Sequence, residues 1–93
     1  MATKTIAQTP AVPAKYELAD AAAIQALVRG EADEYQQKRA LQWMVDVACG
    51  TYDFHYYPSE RDTAFALGRA FVGQQIVKMT RLNVSAMRRE TNG

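Results

Sequence analysis

The sequence predicts an all-α fold: a small helical hairpin or three-helix domain with a long C-terminal helix and an extended N-terminal arm. Three segments place apolar side chains at the i, i+3, i+4 spacing of a helix, and cap-forming residues stand near their ends. Ninety-three residues, 48% of them hydrophobic, fit one small domain with a modest core. The net charge of +1 gives no global reason to expect nucleic acid or an anionic membrane as a partner.

The first 16 residues differ in composition from the rest of the chain. They are rich in Thr, Ala and Pro, and Pro10 and Pro13 block regular helix, so residues 1–16 are predicted to form an extended arm or, on their own, to remain disordered. Such an arm is expected to be ordered by lying along a partner, which makes the two prolines candidate interface residues. Residues 17–93 then form a single helical domain.

Two helices are predicted in the first half of this domain. The first runs from Leu18 to Val28, with Asp20 as its N-terminal cap and Gly30 as its stop. The second opens in the acidic "EADEY", which suits the positive end of a helix dipole, and continues to Gly50. Its buried face is predicted to consist of Tyr35, Leu41, Met44, Val45 and Ala48, with Trp43 and Val47 beside it.

A loop and a third, longest helix are predicted to follow. The stretch from Gly50 to Pro58 breaks the helical period and ends at a proline. "SERD" then predicts a capping box in which the Ser59 hydroxyl accepts from the Asp62 amide and the Asp62 carboxylate accepts from the Ser59 amide. The helix is expected to end at Leu82 or Asn83, leaving a basic tail, residues 84–93, that frays or docks elsewhere.

Two glycines interrupt the third helix, where each should cost about 1 kcal/mol relative to alanine. The stripe of Phe65, Gly68, Val72, Ile76 and Met79, extended by Leu82, is predicted to be a buried seam. Gly68 would admit a closely approaching helix or an aromatic such as Trp43 or Tyr35, and Gly73 would extend the contact to a second face. Packing within the chain, contact between subunits and a kink are the alternatives. The predicted helix-packing motif is Ala64, Phe65, Gly68, Arg69, Val72, Gly73 and Ile76.

This region resembles a family of small helical proteins encoded in the head and packaging gene clusters of tailed bacteriophages, especially short-tailed ones. The similarity lies in "RDTAFALGRAFVGQQIVKM" preceded by "ALQWMVDVACGTYDF", and covers about residues 35–82. The residues that carry it are Tyr35, Cys49, Gly50, Tyr52, Phe54, Ala64, Phe65, Gly68, Arg69, Val72, Gly73 and Ile76. The resemblance implies a virion or assembly component and carries no enzymatic activity with it.

Catalytic and metal-binding sites are not predicted. His55 is the only histidine and Cys49 the only cysteine, and with Asp53 they do not form a recognisable nucleophile set or ligand spacing. Cys49 is expected to be a small buried residue, and Arg69 to pair with Asp46 or Asp62. No cofactor is expected.

Two exposed features are predicted to make contacts. Four of the nine aromatic residues lie in the loop, and tyrosine is enriched at protein interfaces, which makes this loop a candidate interface alongside a covering role for the helices. These aromatics are Tyr52, Phe54, Tyr56 and Tyr57. Residues 63–93 hold five basic and one acidic residue, so a helix-end cluster could contact phosphates. Its members are Lys78, Arg81, Arg88 and Arg89.

The resemblance therefore implies a non-enzymatic virion structural or assembly protein, expected to be made in the host bacterial cytoplasm and located in the virion. It would bind in multiple copies, within a symmetric assembly, to a larger ring or shell such as the portal, the head-to-tail connector or the ejection machinery, with packaged DNA as a further contact. The alternative is a small DNA-binding protein that uses the basic C-terminal helix end. No segment approaches the roughly 18 apolar residues of a membrane span, so the protein is expected to be soluble.

Overall fold

The computed structural model describes residues 9–92 and confirms the all-α class. Four helices form in chain order: α1 (Leu18–Arg29), α2 (Glu34–Gln42), α3 (Glu60–Arg81) and α4 (Val84–Asn92). A single π-helical segment (Trp43–Ala48) continues α2. Helix α1 packs on α2, and α3 packs on the π segment. The Cα radius of gyration is 17.0 Å, against about 12 Å for a compact chain of this length.

Helices α1 and α2 form a hairpin whose ends are set by local hydrogen bonds. The Asp20 carboxylate accepts the Glu17 amide at 2.9 Å, so Glu17 occupies the N-cap position and the prediction of Asp20 there was wrong. Gly30 ends α1 with a φ of 72°, which confirms the predicted stop. Asp33 caps α2 by accepting the Gln36 amide at 2.8 Å.

The hairpin is held by Arg39 of α2, which reaches the start of α1. Its guanidinium donates to Asp20 Oδ1 at 2.8 Å, to Glu17 Oε1 at 3.1 Å and to the Tyr35 hydroxyl at 2.7 Å. Tyr35 is therefore an exposed polar partner, and the prediction that it belongs to a buried face was wrong. The hydrogen bond to Tyr35 and the bond to Asp20 raise the pKa of Arg39. The hydrogen bond from the Glu17 amide lowers the pKa of Asp20, and the hydrogen bond from Arg39 lowers it further.

The π segment changes the register of the second predicted helix. The Cys49 amide donates to the Met44 carbonyl at 2.9 Å, a bond five residues back that adds a residue to the turn. Val45 is buried there, whereas Leu41, predicted for the same face, is exposed. Thr51 closes the segment because its amide, at 3.2 Å, and its hydroxyl, at 2.6 Å, both donate to the Val45 carbonyl.

Helix α3 rests on this closed turn through Gly73. A Cβ added at Gly73 would overlap Thr51 Oγ1 and approach Cys49 Cβ to 3.0 Å, so the Thr51 and Cys49 side chains lie against the helix where a side chain is missing. The same side of α3 buries Ala66 and Ala70 and half-buries Val77. We call this line Ala66, Ala70, Gly73 and Val77 the inner seam.

The prediction of which side of α3 is buried was wrong. Phe65, Gly68, Val72, Met79 and Leu82 are exposed, and only Ile76 of that predicted line is half-buried. The helix turns its small residues inward because the turn after the π segment approaches too closely for larger ones. Thr51, and not Trp43 or Tyr35, fills the Gly73 notch.

The core is correspondingly thin. Among the described residues the buried hydrophobic residues are Val45 and five alanines, and no large side chain is fully buried. The alanines are Ala23, Ala26, Ala40, Ala66 and Ala70. Small side chains let neighbouring elements approach closely but bury little apolar area each.

The described parts of the two terminal regions, residues 9–17 and 84–92, differ from the predicted partner-bound arm and fraying tail. Residues 9–17 form neither helix nor strand and lie on their own chain: Pro10 is buried and Trp43 Nε1 donates to the Lys15 carbonyl at 2.9 Å. The partner prediction for residues 1–8 lies outside the described residues.

At the other end the predicted tail forms α4, capped by Asn83 Oδ1, which accepts the Ala86 amide at 2.9 Å. Ser59 accepts the Asp62 amide at 3.4 Å, so α3 shows one half of the predicted capping box.

The two α3 glycines should respond oppositely to alanine. Gly73→Ala inserts a methyl group where Thr51 Oγ1 lies, and we expect it to lower the free energy of unfolding by about 1–3 kcal/mol through overpacking. Gly68 has nothing within 4 Å of an added Cβ. Gly68→Ala should therefore raise the free energy of unfolding by up to about 1 kcal/mol through helix propensity. Urea denaturation of both variants at low protein concentration measures the difference, and equal effects would contradict this account of the inner seam.

The hairpin should lose stability in acid because the folded-state pKa of Asp20 lies below its ordinary value of 3.8. A lowered carboxyl pKa stabilises the fold above the unfolded pKa, and this contribution disappears as pH falls through the folded pKa. Asp20→Asn should be less stable than wild type at pH 7 and should show a flatter loss between about pH 5 and 2. Glu34→Gln is the control, because the Glu34–Lys38 pair is fully at the surface. The measurement is thermal denaturation as a function of pH. If both variants kept the wild-type dependence of stability on pH, the role of Asp20 in holding the hairpin would be contradicted.

Candidate assembly surface

Helix α3 presents a second apolar line on the side away from the inner seam. Its members follow one another at alternating steps of three and four residues, and all of them are exposed. We call this line the outer stripe: Phe65, Gly68, Val72, Gln75, Met79 and Leu82. From Phe65 to Leu82 it covers about 26 Å of helix at 1.5 Å per residue.

A helix that is apolar on two opposite sides is typical of one packed between two neighbours. The chain supplies one neighbour, the π segment and its closing turn, against the inner seam. Within residues 9–92 nothing comes within 4 Å of a Cβ placed at Gly68, in the middle of the outer stripe. Phe71 and Ala64, at the edge of the stripe, are exposed as well. The stripe is therefore available for a contact outside the described chain.

The aromatic loop before α3 is a second available surface. Tyr52, Phe54 and Tyr56 are 68%, 72% and 66% exposed, and Tyr57 is half-buried. Phe54 meets Tyr56 and Tyr57 edge-on, with ring centroids 6.3 and 6.2 Å apart. Exposed aromatics grouped in this way are a common feature of protein interfaces.

Hydrogen bonds between side chains and the backbone fix the shape of this loop. The His55 ring nitrogen Nε2 lies 3.0 Å from the Gly50 carbonyl oxygen. Thr63 bridges the loop to α3, since its hydroxyl accepts the Tyr57 amide at 2.8 Å and donates to the Tyr57 carbonyl at 3.1 Å. The rings are thus displayed by a defined turn, which reduces the entropy lost when a partner binds them.

Arg69 joins the arm to the loop and makes none of the predicted ion pairs. Its Nη1 donates to the Pro10 carbonyl at 3.3 Å, and its guanidinium lies 5.6 Å from the centroid of the Phe65 ring. Among the described residues no carboxylate lies within salt-bridge distance of it, so the predicted pairing with Asp46 or Asp62 was wrong. A Cβ at Gly50, whose φ is 56°, would lie 2.9 Å from Arg69 Nη2. Pro10 is consequently occupied inside the chain, whereas Pro13 is exposed.

The four basic residues singled out at the C-terminal end are all exposed. Lys78 and Arg81 lie in the last turn of α3, and Arg88 and Arg89 lie in α4. None of them takes part in the ion pairs formed by residues 9–92. They are accessible to an anionic partner, although their positions at a helix end also suit the helix dipole.

The side chains with catalytic or ligating potential do not form a centre in the described part of the chain. Residues 9–92 contain no cluster of three or more His, Cys, Asp or Glu side chains suited to a metal ion. The Cys49 Cβ packs toward Gly73, and His55 is engaged with the Gly50 carbonyl. Over the same range no helix combines the length and apolarity that crossing a membrane requires.

Comparison with protein-family models, curated proteins and solved structures finds no match for this chain. The phage resemblance therefore stays a prediction. The structure does explain locally why several residues that carry it occur together: Cys49, Gly50, Arg69 and Gly73 meet where the π segment closes on α3.

Sequence reasoning missed two contributors to these surfaces. Thr51, which fills the Gly73 notch, carries no motif of its own. Gln75 belongs to the outer stripe but is polar, so a pattern of apolar residues passes over it. The alternating three- and four-residue spacing from Phe65 to Leu82 was the signal that could have separated the outer stripe from Ile76.

Proposed function

We propose that this protein is a non-enzymatic assembly subunit that functions bound, in multiple copies, to a larger protein ring or shell. The observation that carries the proposal is that α3 is apolar on two opposite sides and the described chain covers only one of them. A protein used alone in solution gains nothing from an uncovered apolar line about 26 Å long, and such surfaces mark interaction sites.

The aromatic loop supports the same proposal from a different part of the molecule. Its three exposed rings stand on a turn held by Thr63 and His55, close in sequence to the start of α3. Rigid aromatic anchors are the residues that carry most of the binding free energy at protein interfaces. We assign the contact with the larger ring or shell to this loop.

The thin core supports an assembly role energetically. Five alanines and one valine bury little apolar area, so binding to a partner adds a substantial share of the stability of the folded state. The resemblance of residues 35–82 to head and packaging proteins supplies the setting: the virion of a tailed bacteriophage, at the portal, the head-to-tail connector or the ejection machinery.

Purified virions of the phage that encodes this chain should contain it in multiple copies, measured by quantitative mass spectrometry before and after genome release. Tyr52→Ser with Phe54→Ser should lower its copy number at least tenfold, because the anchoring rings are removed while the helices remain intact. Circular dichroism checks that the helices persist.

The matched control changes apolar side chains that are equally exposed but lie elsewhere. Leu18 and Val28 are 86% and 82% exposed on α1, and Leu18→Ser with Val28→Ser should leave incorporation unchanged. Absence of the wild-type chain from virions would overturn the proposed function. Equal incorporation of both double variants would overturn the role assigned to the loop.

The alternative, a DNA-binding protein, rests on the exposed Lys78, Arg81, Arg88 and Arg89. We expect the isolated protein to leave DNA fragments unretarded in gel electrophoresis at about 150 mM salt, since few phosphate contacts give weak, salt-sensitive binding. Retardation at that salt concentration, abolished by Arg88→Gln with Arg89→Gln, would favour the alternative.

A further inference from the structure

We propose that the outer stripe of α3 pairs with the same stripe of a second copy of this chain, in antiparallel orientation, to form a two-fold symmetric dimer. The proposal rests on the assembly role proposed above, and it names the partner of one of the two surfaces. The other surface, the aromatic loop, stays free in this arrangement to contact the larger ring or shell.

The spacing of the stripe indicates what kind of surface covers it. Steps of four and three residues average 3.5 residues per turn, which is the repeat of a seam between two helices that pack knobs into holes. The seam runs from Phe65 to Leu82 with one polar member, Gln75, and every member is exposed. A second helix of similar length fits this pattern, and another copy of α3 carries the complementary one.

Side-chain size favours the antiparallel orientation. With the two-fold axis near residue 70, Gly68 lies opposite the partner's Val72, and Val72 lies opposite the partner's Gly68. Each glycine then receives a branched side chain of suitable size, and the helices approach closely. A parallel pair would place Gly68 opposite its own copy and leave a gap with no atoms to fill it, which costs stability.

Charge favours the same orientation. Arg61 continues the stripe four residues before Phe65, and in a parallel pair it would face its own copy. In the antiparallel pair it lies opposite the partner's Met79, near the carbonyl end of the partner's α3, where a cation is favourable.

A second charge relation repeats this preference. Glu60 and Lys78 are separated by five helical turns, so they lie on the same flank of α3. Antiparallel pairing brings Glu60 within about one turn of the partner's Lys78, whereas parallel pairing keeps them at opposite ends. Both side chains are exposed, and neither belongs to the ion pairs found within residues 9–92.

The remaining occupant within the chain would be residues 1–8. Their only large apolar side chains are Met1 and Ile6. Two such side chains do not match a stripe with six positions, so a second copy is the better complement. Deletion of residues 1–8 tests this point directly.

Sedimentation equilibrium of the purified full chain should show a monomer–dimer equilibrium at micromolar concentration. Val72→Glu should weaken the dimer at least a hundredfold, because it places two carboxylates in the middle of the seam. Gln74→Glu adds the same charge at an exposed position of α3 outside the stripe and should leave the dimer unchanged. Removal of residues 1–8 should also leave it unchanged. Circular dichroism of each variant checks that the helices are formed. They should persist, because the outer stripe is exposed in the described monomer.

Cysteine cross-linking tests the orientation, in a Cys49→Ser background. A mixture of Phe65→Cys and Gln75→Cys proteins should form the mixed disulfide dimer, while neither protein alone should cross-link to itself. Self-linked Phe65→Cys dimers would overturn the antiparallel arrangement. A wild-type chain that stays monomeric throughout the micromolar range, or that dimerises only after residues 1–8 are removed, would overturn the pairing.

The pairing and the proposed function fail separately. A monomer that is incorporated into virions overturns the dimer and leaves the assembly role standing. A dimer that is absent from virions overturns the assembly role and leaves the pairing standing.

Discussion

The contact between Thr51 and Gly73 is the constraint on which the rest of the structure depends. Thr51 uses its amide and its hydroxyl to close the π segment at the Val45 carbonyl, and the hydroxyl lies where a Cβ of residue 73 would be. The turn can approach α3 only because this residue is glycine. Once it does, Cys49 packs on α3 and Gly50 lies beside Arg69, which in turn holds the arm through the Pro10 carbonyl.

This close approach determines which side of α3 is buried. Where α3 meets this turn, its inner side consists of Ala66, Ala70 and Gly73, with Val77 one turn further on, and the larger Phe65, Val72 and Met79 lie on the opposite, exposed side. The bulky apolar residues then lie outside the core, not because the helix lacks amphipathic order, but because it has two apolar sides. The same rule extends to the hairpin, where Ala23, Ala26 and Ala40 allow α1 and α2 to pack closely.

Local signals in the sequence predicted the element boundaries well, because capping depends on a few neighbouring residues. Gly30 ends α1, Ser59 begins α3 and Leu82 follows its last turn, as expected. The buried side of α3 could not be predicted. Both sides of the helix repeat with helical periodicity, and the larger side chains favoured the side that is exposed. The π segment adds a residue to one helical turn, and the spacing of apolar residues in the sequence does not indicate this insertion.

The candidate surface was predicted in part for the same reason. The aromatic loop was predicted to be a candidate interface from its composition, since it holds four of the nine aromatics, with a covering role for the helices as the alternative. Gly68 was predicted to be a contact position, with packing within the chain, contact between subunits and a kink as the alternatives, and the described chain places nothing within 4 Å of an added Cβ there. Helix α4 was not predicted, although Asn83 is a residue type that caps helices. Its side chain accepts the Ala86 amide at the start of α4.

The geometry of the proposed dimer connects the two surfaces. Helix α3 has 22 residues and is about 33 Å long, and the aromatic loop precedes its first turn. An antiparallel pair therefore carries one loop at each end. Two anchors on one rigid body bind adjacent subunits of a ring more tightly than either does alone, because the second contact forms at a high effective concentration. A seam that contains Gly68 and Gln75 is expected to be weak by itself, and a repeated ring would strengthen it by the same effect. Weak pairing in solution and stable incorporation in an assembly are thus consistent with one another.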